Sequence, residues 1–152
     1  MRARAERACY MMTVVMLVAS CLQHAHASAP PGRYAITNTV VKDNRTGLLW
    51  QRAVDADSYT QADGVTYCSS LNLGGFASGW RLPTRAELLS IVDVTAVEPA
   101  IDASAFPNTP SDIFWTSSPD ARSSLSAWVV YFTAGSTGTS PPTDPHRVRC
   151  LR

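Results

Sequence analysis

Lysine is nearly missing from this chain. Of 13 Lys and Arg residues among 152, only Lys42 is a lysine, so almost every fixed positive charge is a planar guanidinium able to make bidentate contacts. A GC-rich coding sequence would give the same bias. Net charge is scarce too, with 13 basic side chains set against 12 acidic ones. That balance removes the electrostatic footprint of a nucleic-acid binder, although a local arginine patch remains open. Long apolar runs are also wanting. The longest, Ala8 to Leu22, stops short of the ~20 residues that a spanning helix needs. No internal repeat is present, and no histidine stands in a context that would partner a nucleophile.

What the N-terminus does contain reads as an export signal. Arg2, Arg4 and Arg7 form a basic n-region, Ala8 to Leu22 an apolar core, and Ala25-His26-Ala27 a small-x-small cleavage pattern before Ser28. Val18-Ala19-Ser20-Cys21 resembles a lipobox, whose cleavage would leave a lipidated Cys21 instead. The polar stretch Gln23 to His26 favours cleavage after Ala27. Either route places the domain outside the cytoplasm: in the periplasm, on the outer-membrane surface or secreted. Loss of residues 1–27 takes three arginines and Glu6 from the 13 basic and 12 acidic residues, leaving a net charge of about −1. The remainder suits a single domain with one core.

Two of the four cysteines go the same way, Cys9 within the signal and Cys21 removed or lipidated. Cys68 and Cys150 remain, an even pair in an oxidising compartment. A bridge between them would close a loop of about 80 residues, worth roughly 4–5 kcal/mol in the chain-entropy model. The alternative is two free thiols.

After a lead-in over 28–33, Tyr34 to Lys42 is rich in β-branched residues and reads as a strand. Asp43 to Gly47 is turn chemistry, and Leu48 to Arg52 a second strand, giving a hairpin. Thr60 and Asp63 cap a helix reaching about Leu71, with Ala62, Val65, Cys68 and Leu71 along one side. The densest cluster of structural signals follows, Trp80-Arg81-Leu82-Pro83-Thr84 with Glu87 and Leu88. Pro83 biases Leu82 toward extended backbone. Thr84 and Glu87 have the spacing of a capping box, and Leu88, Leu89, Ile91 and Val92 the spacing of one helical face. Trp80 belongs in a core with its indole N–H paired. Asp93 to Ser111 carries no strong secondary-structure signal. Phe114 to Ser117 and Ala127 to Phe132 read as strands, Ala134 to Pro145 as a loop, and Arg147 to Leu151 as a short closing strand. The order is that of an α+β domain with segregated elements.

Taken in order, Thr46-Gly47-Leu48-Leu49-Trp50-Gln51, Tyr67-Cys68, the Trp80 to Leu88 cluster, Ile101-Asp102, Phe114-Trp115-Thr116-Ser117, Ala127-Trp128 and Val148-Arg149-Cys150 resemble one pattern. It is that of the bacterial domain family, of unknown function, named after the C-terminal domain of the collagen-like adhesin Lcl, and the resemblance covers residues 34–152. It implies a C-type-lectin-like fold of short antiparallel strands, two helices and long loops, related to that of formylglycine-generating enzymes. That fold ties its first helix to its last strand by a disulfide, as the pairing of Cys68 with Cys150 would. The resemblance makes Trp50, Trp80, Arg81, Pro83, Thr84, Glu87, Trp115 and Trp128 structural signature residues. It also associates the named adhesin with sulfated glycans.

The residues themselves are sparing with chemistry. The calcium loop of true C-type lectins is approached only by Glu98-Pro99-Ala100, which lacks the amide ligand. Asp93, Glu98, Asp102 and Asp112 are the weak candidates for calcium, which wants six to eight oxygens, and no metal or other cofactor is expected. Neither remaining cysteine matches a catalytic position, so no catalysis is expected. Trp50, Trp115 and Trp128 read as core residues before sugar platforms. Arg81 in the signature suits pairing with a buried carboxylate. Among the other arginines, Arg122, Arg147 and Arg149 could take sulfate or carboxylate groups bidentately. Arg122, Arg147 and the adjacent His146 stand as candidate ligand contacts. They accompany the loops Asp93–Asp112 and Ala134–Arg147 and the turn Pro119–Ser126. The expectation is an exported recognition domain for surface or acidic glycans. The rival is a protein-interaction or envelope module, lipid-anchored if Cys21 is modified. A glycan or cell-surface protein is the expected partner, with no nucleic acid and no membrane span.

Overall fold

The computed structural model describes residues 29–152, so the expected signal and Cys21 lie outside the described residues. The described residues build two antiparallel three-stranded sheets and two helices. The first sheet is a meander of β1 (Tyr34–Ile36), β2 (Val40–Asp43) and β3 (Leu49–Gln51). The single strand expected over Tyr34 to Lys42 is thus two. Thr37 breaks it by accepting the Val40 N–H on its hydroxyl at 3.1 Å, while its own N–H donates to the Val40 carbonyl at 2.9 Å. The turn at Asp43–Gly47 forms as expected, closed by Gly47 N–H to the Asp43 carbonyl.

Helix α1 (Gln61–Ser70) starts on Thr60, whose hydroxyl accepts the Asp63 N–H at 3.2 Å. Its inward face differs from the expected one. Cys68 is buried as expected, but Ala62 and Val65 point to solvent and Gly64 is buried in their place. The cause is close approach: a Cβ on Gly64 would lie 2.7 Å from a methyl of Val148, so the bare backbone lets the helix settle on the C-terminal segment. Helix α2 (Arg85–Leu89) is a single turn held by the full capping box of Thr84 and Glu87. Glu87 also takes a bidentate contact from Arg81 at 2.9 and 2.6 Å. The carboxylate expected for Arg81 is therefore present, but it is half-buried and Arg81 itself is largely exposed.

The second sheet comprises β4 (Ile113–Pro119), β5 (Ala127–Tyr131) and β6 (Ser136–Ser140). Strand β6 replaces part of the loop expected over Ala134–Pro145. It pairs with β5 over five register positions and, as an edge strand, needs backbone bonds more than apolar side chains. Gly138 makes room in it, since a Cβ there would come within 2.5 Å of the Tyr131 hydroxyl.

Alternate residues of this sheet face opposite ways. Phe114, Val130 and Phe132 enter one core with Trp50, Leu88 and Phe106. Trp115, Ala127 and Val129 enter the other with Trp80, Leu82 and the two cysteines. Each large side chain fully buried in these cores contributes about 1.5–3 kcal/mol. Trp80 donates its indole N–H to the Phe76 carbonyl at 3.1 Å, and Trp115 donates to that of Tyr59 at 2.8 Å.

The C-terminal segment ties both sheets together. Arg147 lies parallel to Phe114, and Leu151 bridges both Trp50 and Arg81. Cys150 is bonded to Cys68 across a sequence separation of 82 residues. Next to Cys150 in sequence, Arg149 is fully buried. It donates to the carbonyls of Gln51 and Arg52, each at 2.7 Å, and to the Thr109 hydroxyl at 2.6 Å. Its guanidinium lies 4.8 Å from the Phe106 ring centroid. No helix among the described residues is long and apolar enough to cross a membrane.

Candidate functional site

The expected ligand contacts fall on different faces of the second sheet. His146 packs against Trp115, ring centroids 4.8 Å apart, and its Nε2 lies 2.9 Å from the Ser140 hydroxyl. Burial pushes the imidazole pKa down, against the opposing pull of Asp144 and Asp112, and so favours the uncharged ring. Arg147 beside it is already engaged. Its Nε donates to Asp112 at 3.1 Å, and its Nη1 to the carbonyls of Ala56 and Asp57. These contacts pin the segment before β4 to the loop before α1. Arg149 is a core residue and meets no solvent.

Arg122 sits elsewhere, in the turn between β4 and β5. Asp120 organises that turn by accepting the Arg122 N–H at 3.0 Å and its Nε at 3.1 Å. The guanidinium contact, followed by the backbone one, holds the Asp120 carboxyl below its ordinary range. Arg122 remains 74% exposed at its side chain, so it is offered to solvent while its backbone is fixed.

The structure adds two residues to Arg122 that the sequence reading did not place there. Trp128 is half-buried, not a core residue as expected. It stands at the start of β5, on the face that leads to Val130 and Phe132. The guanidinium carbon of Arg85 lies 4.0 Å from the Trp128 ring centroid, and that of Arg122 lies 5.5 Å from it. Arg85 is the first residue of α2, and its backbone N–H donates to the Ser118 hydroxyl at 3.0 Å. The capping box thus places Arg85, and the Asp120 turn Arg122, within reach of the same indole ring. Among the described residues the Arg85 guanidinium has no ion-pair partner. Two cations gathered on one aromatic ring, one of them without a counter-charge, have the chemistry to accept an anionic group.

One signal could have exposed this site. Trp128 is the second residue of its strand and follows a polar turn that carries an arginine, whereas Trp115 lies deeper in its own strand.

Of the carboxylates considered for calcium, Asp93 and Asp102 line one cleft and no third joins them among the described residues. No group of three or more His, Cys, Asp or Glu residues able to hold a metal occurs among the described residues. Asp112 pairs with Arg147, Asp93 accepts the Thr95 N–H at 2.9 Å, and Asp102 accepts those of Ser104 and Ala105 at 2.9 and 3.3 Å. Glu98 has φ of 53° ahead of a cis bond to Pro99. Its N–H donates to the Thr133 carbonyl at 3.0 Å, which fastens this loop beside β5.

The family model described as the Lcl C-terminal domain matches residues 39–152. No curated protein matches the chain.

Proposed function

The chain belongs to the Lcl C-terminal domain family, and from that premise we propose that it is an exported, non-enzymatic recognition domain for acidic glycans. Its architecture of short antiparallel strands, two helices and long loops suits the C-type-lectin-like fold that the family resemblance implies. The observation that carries the reading is the stacking of Arg85 and Arg122 on Trp128. Sulfate and carboxylate groups accept paired N–H donors from a guanidinium fork, and stacking holds each fork before the ligand arrives. Guanidinium and indole groups hold an anion but neither take nor release a proton at neutral pH. The reading is therefore of binding and not of turnover. A near-neutral domain needs such a local cluster to hold an anionic chain. The disulfide accords with export, since such bonds persist in oxidising compartments.

A screen of the oxidised domain against sulfated, carboxylated and neutral oligosaccharides, at low and physiological salt, tests this. Binding confined to the anionic sugars and weakened by salt is expected. Equal binding to neutral sugars, or none to any, would refute it. In the latter case the protein-interaction reading gains, because Val94, Val97 and Leu125 are 82%, 72% and 79% exposed in the surrounding loops.

A further inference from the structure

The second sheet has one free edge. On the β4 side it is closed, with the Trp115 N–H on the Arg147 carbonyl at 2.9 Å and the Ser117 N–H on that of Pro83 at 2.7 Å. On the other side stands β6, which pairs with β5 and, among the described residues, with no further strand. The ladder decides which of its backbone groups face outward. The Phe132 N–H donates to the Asp112 carbonyl at 3.0 Å, flanking the Ile113–Tyr131 pair. That turns the backbone groups of Val130 toward β4 and, by alternation, those of Val129 and Tyr131 toward β6. Their partners Gly138 and Ser136 therefore spend their own groups on β5. Thr137 and Thr139 each direct an N–H and a carbonyl away from the sheet. Among the described residues no loop backbone bonds to either of them.

Natural sheet edges are commonly blunted by lysine, proline, a bulge or an inward charge. Strand β6 carries none of these. Its five residues, Ser136-Thr137-Gly138-Thr139-Ser140, are uncharged and read the same in both directions about Gly138, and its register with β5 is unbroken. An antiparallel strand of the same sequence, centred on Gly138, sets Thr137 opposite Thr139 in both halves and Ser136 opposite Ser140. The outward groups then meet in four N–H to carbonyl bonds with none left over. The central pair is two glycines in the close, non-hydrogen-bonded position, where no side chains compete for space. The flanking threonine pairs are of a kind that stabilises neighbouring strands.

We propose that β6 is the pairing edge of a two-fold homodimer, in which β6 of one copy and β6 of the other join two sheets into one of six strands. Each copy offers this edge once, so the contact is isologous and closes at two copies. Pro141 follows β6, and its missing N–H ends the pairing at the next outward position. The contact is narrow, so monomer and dimer exchange with concentration. The two-fold axis stands normal to the sheet, which leaves both copies of Trp128 on the same face. Trp128 lies one strand in from the seam, opposite Thr139, so the two copies are about 15 Å apart by strand spacing. An anionic chain long enough to span that distance would hold both sites at once. That corollary rests on the anion-site reading, and the pairing itself does not.

The test uses residues 29–152, which hold both cores and the disulfide. Sedimentation equilibrium from about 10 μM to about 1 mM, where weak interfaces populate, should show a reversible monomer–dimer equilibrium. Amide hydrogen exchange, followed residue by residue, should show Thr137 and Thr139 gaining protection as the protein is concentrated. Gly138, bonded to β5 in either state, should stay protected throughout. Thr137→Pro removes an N–H that the single copy does not use, and with it two of the four bonds. It should weaken self-association at least about 10-fold while the melting point of the dilute protein holds. Thr137→Lys places a charge at the seam without changing the backbone. It should act in the same direction, and it stands in if the proline variant does not fold. A protein that stays monomeric across that range overturns the proposal. So does a dimer in which Thr137 and Thr139 exchange as fast as in the monomer, because its interface then lies elsewhere. Protection of both amides in a protein that sediments as a monomer also overturns it, since the edge would then be covered within one chain.

Discussion

Glu87→Gln should cost about 1–2 kcal/mol at neutral pH and much less in acid. The Glu87 carboxylate accepts both Arg81 nitrogens, the Thr84 N–H at 2.8 Å and the Thr84 hydroxyl at 2.9 Å. Led by the Arg81 contact, these bonds lower its pKa from 4.5 to about 2, and the same contact raises that of Arg81. At 1.36 kcal/mol per pKa unit, that fall sets an upper bound of about 3 kcal/mol. Arg81 is 49% exposed at its side chain, so solvent screening takes a large share. Glutamine also keeps one oxygen able to accept. Because the folded pKa is depressed, the contribution is present above the unfolded value of about 4.5 and is lost as pH falls through about 2. Urea denaturation of both proteins, followed by circular dichroism at pH 7 and pH 2.5, reads the difference directly. The gap should shrink several-fold at the lower pH. A gap of the same size at both values, or none at pH 7, would show that the box and ion pair do not stabilise the α2 region as argued.

Removing the bridge by the double change Cys68→Ala and Cys150→Ala frees a loop of 82 residues and should cost about 4–5 kcal/mol. Thermal melting should show a drop of well over 10 °C, at about 3–5 °C per kcal/mol for a domain of this size; a drop of only a few degrees would count against it. Gly138→Ala puts a methyl within 2.5 Å of the Tyr131 hydroxyl and 2.7 Å of its ring, and should cost about 1–3 kcal/mol by overpacking. Adding Tyr131→Leu should recover part of that loss, and a double-mutant cycle with no coupling would refute the contact. Trp80→Ala should destabilise the domain by about 3–5 kcal/mol, since it empties a site that is 2% exposed; an unchanged melting temperature in that variant would contradict the core placement.

The features legible in the sequence were those fixed locally or by counting. Thr84 and Glu87 recognise each other over three residues, so the cap of α2 needed no tertiary knowledge. Cys68 and Cys150 were the last two thiols standing. Trp80 combined bulk with a neighbouring proline that left its segment few conformations. The misses came where a partner elsewhere in the chain decides. Periodicity assigns Val65 to the inward face of α1, but it cannot see that Gly64, with no side chain, permits the contact with Val148. Strand β6 has a loop's composition, Ser-Thr-Gly-Thr-Ser, and becomes a strand because β5 presents an edge to it. Gly135 helps the chain reach that edge with φ of 72°, and a Cβ there would meet Val92 at 2.6 Å. The candidate site was hidden for the same reason. Arg85 looks like a helix-starting residue and Trp128 like a core residue until the turn carrying Arg122 is folded over them.

If Arg85, Arg122 and Trp128 form an anion-recognition site, losing both guanidinium groups must weaken the binding of an anionic sugar. The binding of a sulfated oligosaccharide should be measured by calorimetry for the wild type and for the double variant Arg85→Gln and Arg122→Gln, with unchanged melting temperature as the check on folding. Charge-assisted hydrogen bonds contribute about 1.5–3 kcal/mol each, so losing both forks should weaken binding at least about 10-fold and flatten its salt dependence. Equal affinity in the two proteins would contradict the account and move any glycan contact away from this face.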